Sequence, residues 1–130
     1  MLPELQVSPQ SAARALLAYY GLLRTTSAVP WRSTLAGTPG VHAALLHLEA
    51  VQVDPISAVE RNHHLVLYNR VGGYRPEHLD ELFRQGQAFE YLANARCILP
   101  IESFHGFWPI MLQARANSET AGDVLRRSMD

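Results

Sequence analysis

At 130 residues, 48% of them hydrophobic, the chain has the length and composition of one globular domain able to bury a real core, and nothing in it points to disorder or a disulfide scaffold. Its one cysteine, Cys97, excludes an internal disulfide and fits a reducing cytoplasm; the apolar run at residues 15–23 is too short to span a bilayer, and the first residues carry Glu4 and no basic group, unlike a signal peptide. Net charge is −1, with eleven basic residues, all arginine, against twelve acidic ones, a balance that leaves no basic footprint of nucleic-acid binding.

Ser8-Pro9 predicts the start of a first helix, with Ser8 as N-cap and Pro9 in the first helical position. Ala12, Leu16, Tyr19 and Tyr20 follow a helical stripe, and Gly21 is its stop. Residues 24–37 read as a loop. Thr38-Pro39 repeats the start signal, and Val41, Ala44, Leu45 and Leu48 form the next buried stripe. The period then changes: Val51-Gln52-Val53-Asp54 alternates apolar and polar, as a short strand does, and Pro55 ends it. Ser57 with Glu60 reads as a capping box for a helix running through Val59, His63, Val66, Leu67 and Arg70 to Gly72-Gly73. Pro76 starts a further helix with Leu79, Leu82 and Phe83 inward, closed by Gly86. Residues 88–92 and 96–99 read as a hairpin bounded by Pro100. Phe104, Phe107, Trp108, Met111 and Leu112 make a last helical stripe, which Pro109 kinks or restarts. From Ala116 the chain is polar, with a short helix expected near Val124 and Leu125.

From Thr38 the order helix, strand, helix, helix, strand, strand is that of a winged helix. The expected fold class is α+β, mostly helical: a winged helix-turn-helix with an extra N-terminal helix and a C-terminal helix. Residues 1–115 would form this domain, and 116–130 a polar C-terminal tail that could begin a next one. A winged helix usually reads DNA with its third helix. Here that helix, residues 76–85, carries Glu77, Asp80 and Glu81 against His78 and Arg84. Carboxylates facing phosphates would be repelled, which argues against an ordinary transcription factor.

On a strand, positions i and i+2 share a side. Val51 and Val53 would face the core, and Gln52 and Asp54 would face away from it together. Asp54 could accept a proton from water while Gln52 orients the same water. A carboxylate can also stabilise an oxocarbenium-like sugar as a glycosidic bond breaks. A plain structural reading stands beside this: Asp-Pro after a strand is a common turn initiator, and Gln52 can simply be solvated.

A second cluster is Glu60-Arg61-Asn62-His63-His64. Adjacent histidines on a helix point about 100° apart, so they cannot share a metal as an i, i+4 pair does, and no metal site is expected. His63 lies on the apolar stripe and reads as a core histidine. Arg61, His64 and Arg70 are the candidate DNA contacts, and Glu60 reads as a capping residue. Phe89 and Tyr91 would share one face of the hairpin, with Glu90 on the other, as plain sheet packing. Cys97 reads as a small buried hydrophobe, and Trp31 and Trp108 as packing residues.

The run Gln52-Val53-Asp54-Pro55-Ile56-Ser57-Ala58-Val59-Glu60-Arg61-Asn62-His63-His64-Leu65 resembles the signature of the bacterial winged-helix DNA glycosylases, the group related to AlkZ and YcaQ. Phe89-Glu90-Tyr91 followed by Leu99-Pro100 resembles a downstream block of the same family, and the similarity runs from about Ser8 to Met111. The resemblance implies a monofunctional DNA glycosylase that removes bulky alkylated bases, including interstrand crosslinks, from double-stranded DNA. It implies tandem winged helices around a DNA channel, no cofactor and no membrane. Gln52 and Asp54 match the aspartate version of the family's catalytic motif, Asp54 activating water or stabilising the sugar cation and Gln52 positioning the water. Leu92 and Asn94 stand where the family commonly has Trp and His, and family members are much longer than this chain. The resemblance therefore also implies docking to further winged-helix domains. The alternatives are a non-catalytic winged-helix module for DNA or protein, the balanced charge favouring protein, and a structural remnant.

Overall fold

The computed structural model describes residues 6–23, 36–57, 59–93 and 95–127. Helix α1 spans Pro9–Tyr19 and starts as the sequence predicts: the Ser8 hydroxyl accepts the Ser11 N–H at 3.1 Å, and Pro9 occupies the first turn. Gly21 takes the left-handed conformation at φ +68 that ends it. The apolar stripe, however, is not buried. No residue of α1 is buried, and Leu16, Tyr19 and Tyr20 are exposed. One contact with the helix that follows is a tertiary one: His47 Nε2 meets the Tyr19 carbonyl at 2.5 Å, with the two rings edge to face.

Helix α2 spans Gly37–Leu48, with Ala36 rather than Thr38 as its cap. The Ala36 backbone bridges to Gly72, so the entry is set by a tertiary contact ahead of the local Thr-Pro signal. Of the loop expected over 24–37, residues 24–35 lie outside the described residues, as does Trp31. Val41, Ala44 and Leu45 are fully buried, as their spacing predicts. Strand β1, Val51–Gln52, follows.

The next helix starts later than the sequence predicts. Helix α3 spans Asn62–Tyr68, capped by Arg61. Ser57 does not open a helix because the polar side chains around it bond elsewhere. Asp54 Oδ1 accepts the Ile56 N–H at 2.8 Å, a local turn, and Glu60 Oε1 accepts the neighbouring Arg61 N–H at 2.8 Å. Val59, expected inward, is 92% exposed in consequence. His63 and Leu67 are buried as expected.

Helix α4, Pro76–Arg84, keeps its predicted bounds and buries Leu79 and Leu82; Gly86 at φ +66 turns the chain out of it. Strands β2, Ala88–Leu92, and β3, Arg96–Pro100, pair antiparallel with Ala88 opposite Pro100 and Leu92 opposite Arg96. Strand β1 pairs with the other side of β3, Val51 opposite Ile98, giving the order β1-β3-β2. That central place explains why Cys97 through Pro100 are all buried. The series α2, β1, α3, α4, β2, β3 with this sheet is compatible with a winged helix. Its core joins Val41, Leu45, Val51, Leu67, Leu82 and Ile98. Each such side chain contributes roughly 1.5–3 kcal/mol through burial.

A single 3-10 turn, Ile101–Ser103, leads into helix α5, Phe104–Arg127. Phe104 and Phe107 pack edge-on against Phe89 at 5.4 and 6.3 Å, and Phe107 against Tyr91 at 5.4 Å. These contacts confirm the hairpin face read from alternation. Pro109 lies inside the helix without ending it. No separate short helix forms near Val124, because residues 111–116 are strong helix formers and carry α5 through. The fold class is the expected one, α+β and mostly helical, compatible with a winged helix carrying an added helix at each end.

Candidate active site

Gln52 and Asp54 are positioned by the sheet. Val51 is 2% exposed and Val53 packs against the core, so Gln52 between them is turned outward. The Val53 N–H donates to the Arg96 carbonyl at 2.7 Å, which extends the pairing past the end of β1 and makes Asp54 the next outward position. Asp54 is half-buried. Its bond to Ile56 N–H fixes the carboxylate through Oδ1, and among the described residues no hydrogen bond engages Oδ2. The turn that the plain structural reading foresaw is therefore present, and it also holds the carboxylate in one orientation.

Helix α3 carries the second cluster. His63 is 6% exposed, its ring lies 4.2 Å from that of His64, and its Nδ1 has no hydrogen-bond partner among the described residues. Burial pushes its pKa below the ordinary histidine value, with His64 and Arg61 acting in the same direction against Glu90 and Glu60. His63 is a core histidine held neutral.

The three candidate DNA contacts have different surroundings. Arg61 is exposed at the start of α3. His64 is half-buried and its Nδ1 lies 2.6 Å from the Tyr74 hydroxyl. Arg70 is half-buried, with Nη1 donating to the Val66 carbonyl at 3.0 Å. Burial, followed by Asp80, Glu60 and Glu77, raises the Tyr74 pKa above that of an ordinary tyrosine, so its hydroxyl keeps its proton.

Beside His64 lies a cleft of about 240 Å³ lined by Glu60, His64, Leu65, Tyr68, Tyr74 and Pro76. Reasoning from sequence missed Tyr68 and Tyr74. A signal was present for the first: Tyr68 stands four residues after His64 on one helix face, yet falls off the apolar stripe.

The outer surface of α4 is acidic, as expected. Glu77 and Asp80 are exposed, and Glu81 pairs with Arg84 and accepts from Gln85 Nε2 at 2.8 Å. On the hairpin, Glu90 pairs with Arg96 at 2.5 Å. Cys97 is buried, and Trp108 is half-exposed with its ring 5.5 Å from Phe104. Among the described residues no group of three or more His, Cys, Asp or Glu is placed to hold a metal, and no helix is long and apolar enough to cross a membrane.

Residues 45–130 match the family model described as DNA glycosylase AlkZ-like. The chain belongs to this family. No solved structure matches it. The matched span opens inside α2 and holds the rest of the winged helix, so Gln52, Asp54, the α3 cluster and the cleft all lie on the AlkZ-like part of the chain. A DNA glycosylase role in repair, with DNA as substrate, follows at the level of the family.

Proposed function

We propose that this AlkZ-like protein hydrolyses the N-glycosidic bond of alkylated bases, including interstrand-crosslinked ones, in double-stranded DNA of the cytoplasm. Asp54 and Gln52 would carry the chemistry. The observation that supports this most is the setting of Asp54, a half-buried carboxylate next to β1 whose Oδ1 is fixed by Ile56 N–H. The bond from C1′ to the base nitrogen breaks with its electron pair leaving on the base. An N-alkylated purine is already cationic, departs neutral and needs no general acid. Asp54 stabilises the sugar cation, water adds to C1′, and the water's proton passes to the carboxylate. The Gln52 side-chain carbonyl accepts a hydrogen bond from the water's other O–H, which stays on the sugar product, and sets the water's approach. The reaction takes only water, with no cofactor. Arg61, His64 and Arg70 would contact the DNA near this site.

The test is release of base from duplex DNA carrying N7-alkylated guanine. Asp54→Asn should slow release by about 100-fold or more, the usual contribution of a positioned acid or base. Gln52→Ala should slow it by up to about tenfold, the worth of one hydrogen bond. Release by Asp54→Asn at the parent rate would remove Asp54 from the mechanism.

The acidic surface of α4 supports a second reading, a winged-helix module without catalysis that binds protein. Parent chain that binds DNA or protein and releases no base would favour it.

A further inference from the structure

The α3 cleft has a chemical character of its own. Its walls are the aliphatic groups of Leu65 and Pro76 and the rings of Tyr68, Tyr74 and His64. At about 240 Å³ it is smaller than the roughly 300–1,000 Å³ of pockets for drug-sized ligands, and suits a single fused-ring heterocycle rather than a whole nucleotide. Tyr68, on the cleft lining, is 69% exposed, which leaves its aromatic side chain accessible. Among the described residues Glu60 is the one carboxylate on its lining, and no arginine lines it. Asp80 and Glu77 act on Tyr74 from α4, adding to the negative potential. Such a site repels phosphate and attracts a planar cation, which aromatic faces bind through their quadrupole. The cleft is also pre-shaped, because the bond between Tyr74 and His64 Nδ1 holds two of its walls together at 2.6 Å.

We propose that this cleft is a binding site for a planar cationic heterocycle, stacked on Tyr68 and charge-paired with Glu60. In the AlkZ-like reaction its occupant is the N-alkylated base turned out of the duplex, a step that enzymes acting on bases require. The identity of that occupant rests on the glycosylase reading; the cleft's preference for a planar cation does not.

The test uses N-methylquinolinium, a permanent bicyclic cation, and quinoline, its neutral counterpart, each titrated into the full chain with side-chain NMR shifts of Tyr68 and His64 as readout. The cation should bind roughly tenfold more tightly than quinoline and shift both residues. Tyr68→Ala should weaken cation binding about three- to tenfold, and Glu60→Gln should abolish the preference over quinoline. Both residues are exposed, so neither change threatens the fold. Equal binding of the two probes, shifts confined to other residues, or an unaffected Tyr68→Ala would overturn the proposal. Cation binding without base release would leave the cleft standing and remove the glycosylase reading. Base release without cation binding would do the reverse.

Discussion

His63 holds a ring nitrogen in the core with no partner among the described residues, against a ring that is itself tied to Tyr74. An unsatisfied buried nitrogen of this kind costs about 1–3 kcal/mol. Burial lowers the His63 pKa, so the unfolded chain takes up its proton more readily than the folded one. Stability from this group is complete above the unfolded value of 6.5 and is lost as pH falls below it toward the folded value. Urea midpoints should therefore rise from acidic to neutral pH, and His63→Phe should flatten that rise while raising stability at neutral pH by about 1 kcal/mol. A parallel pH profile in the variant would show that other groups set the slope. At this scale the sequence was informative where a side chain's fate follows from backbone periodicity, as for His63, Val51 and Leu82. It was uninformative for Tyr74, whose role depends on a hydroxyl meeting an imidazole ten residues away.

Among the elements, α4 and the hairpin follow from local signals: Pro76 opens, Gly86 closes, and alternation in β2 sends Phe89 and Tyr91 toward α5. The start of α3 does not follow, because two competing side-chain bonds, at Asp54 and Glu60, outweigh the Ser57 signal. Helix α4 takes the place of a recognition helix, yet presents Glu77 and Asp80 outward. If DNA runs past α3 instead, Glu77→Gln with Asp80→Asn should leave DNA affinity within about twofold, and Arg61→Ala should weaken it and reduce the slope of log affinity against log salt by about one. A large gain in affinity from the double change would put α4 against the phosphates.

On the scale of the whole molecule, a net charge of −1 supplies no general attraction to DNA, so affinity must come from local groups. Exposed apolar side chains occur on both added helices, among them Leu16 on α1 and Trp108 and Ile110 on α5, as well as on α2, α3 and β2 at Leu46, Leu65, Tyr68 and Leu92. We propose that the faces of the two added helices meet further winged-helix domains. Leu16→Glu and Ile110→Glu should then leave the melting temperature of the 130-residue chain unchanged within about 2 °C and lower that of a chain carrying such domains. A fall in the 130-residue chain would place both residues in its own core.

The sequence by itself determined the helical class, the order of elements, the hairpin, the buried stripes of α2 and α4, and the adjacency of Gln52 and Asp54. Each depends on periods of two or 3.6 residues and on caps that act within one turn. Tertiary structure alone decided that β3 lies between β1 and β2, that α1 keeps its apolar face uncovered, and that Glu60, His64, Tyr68 and Tyr74 enclose one cleft. These depend on contacts between distant residues, which no local pattern encodes. Length and net charge describe a domain with no general attraction to nucleic acid, and only the tertiary fold brings together the α3 cleft in which we propose a charged base is held.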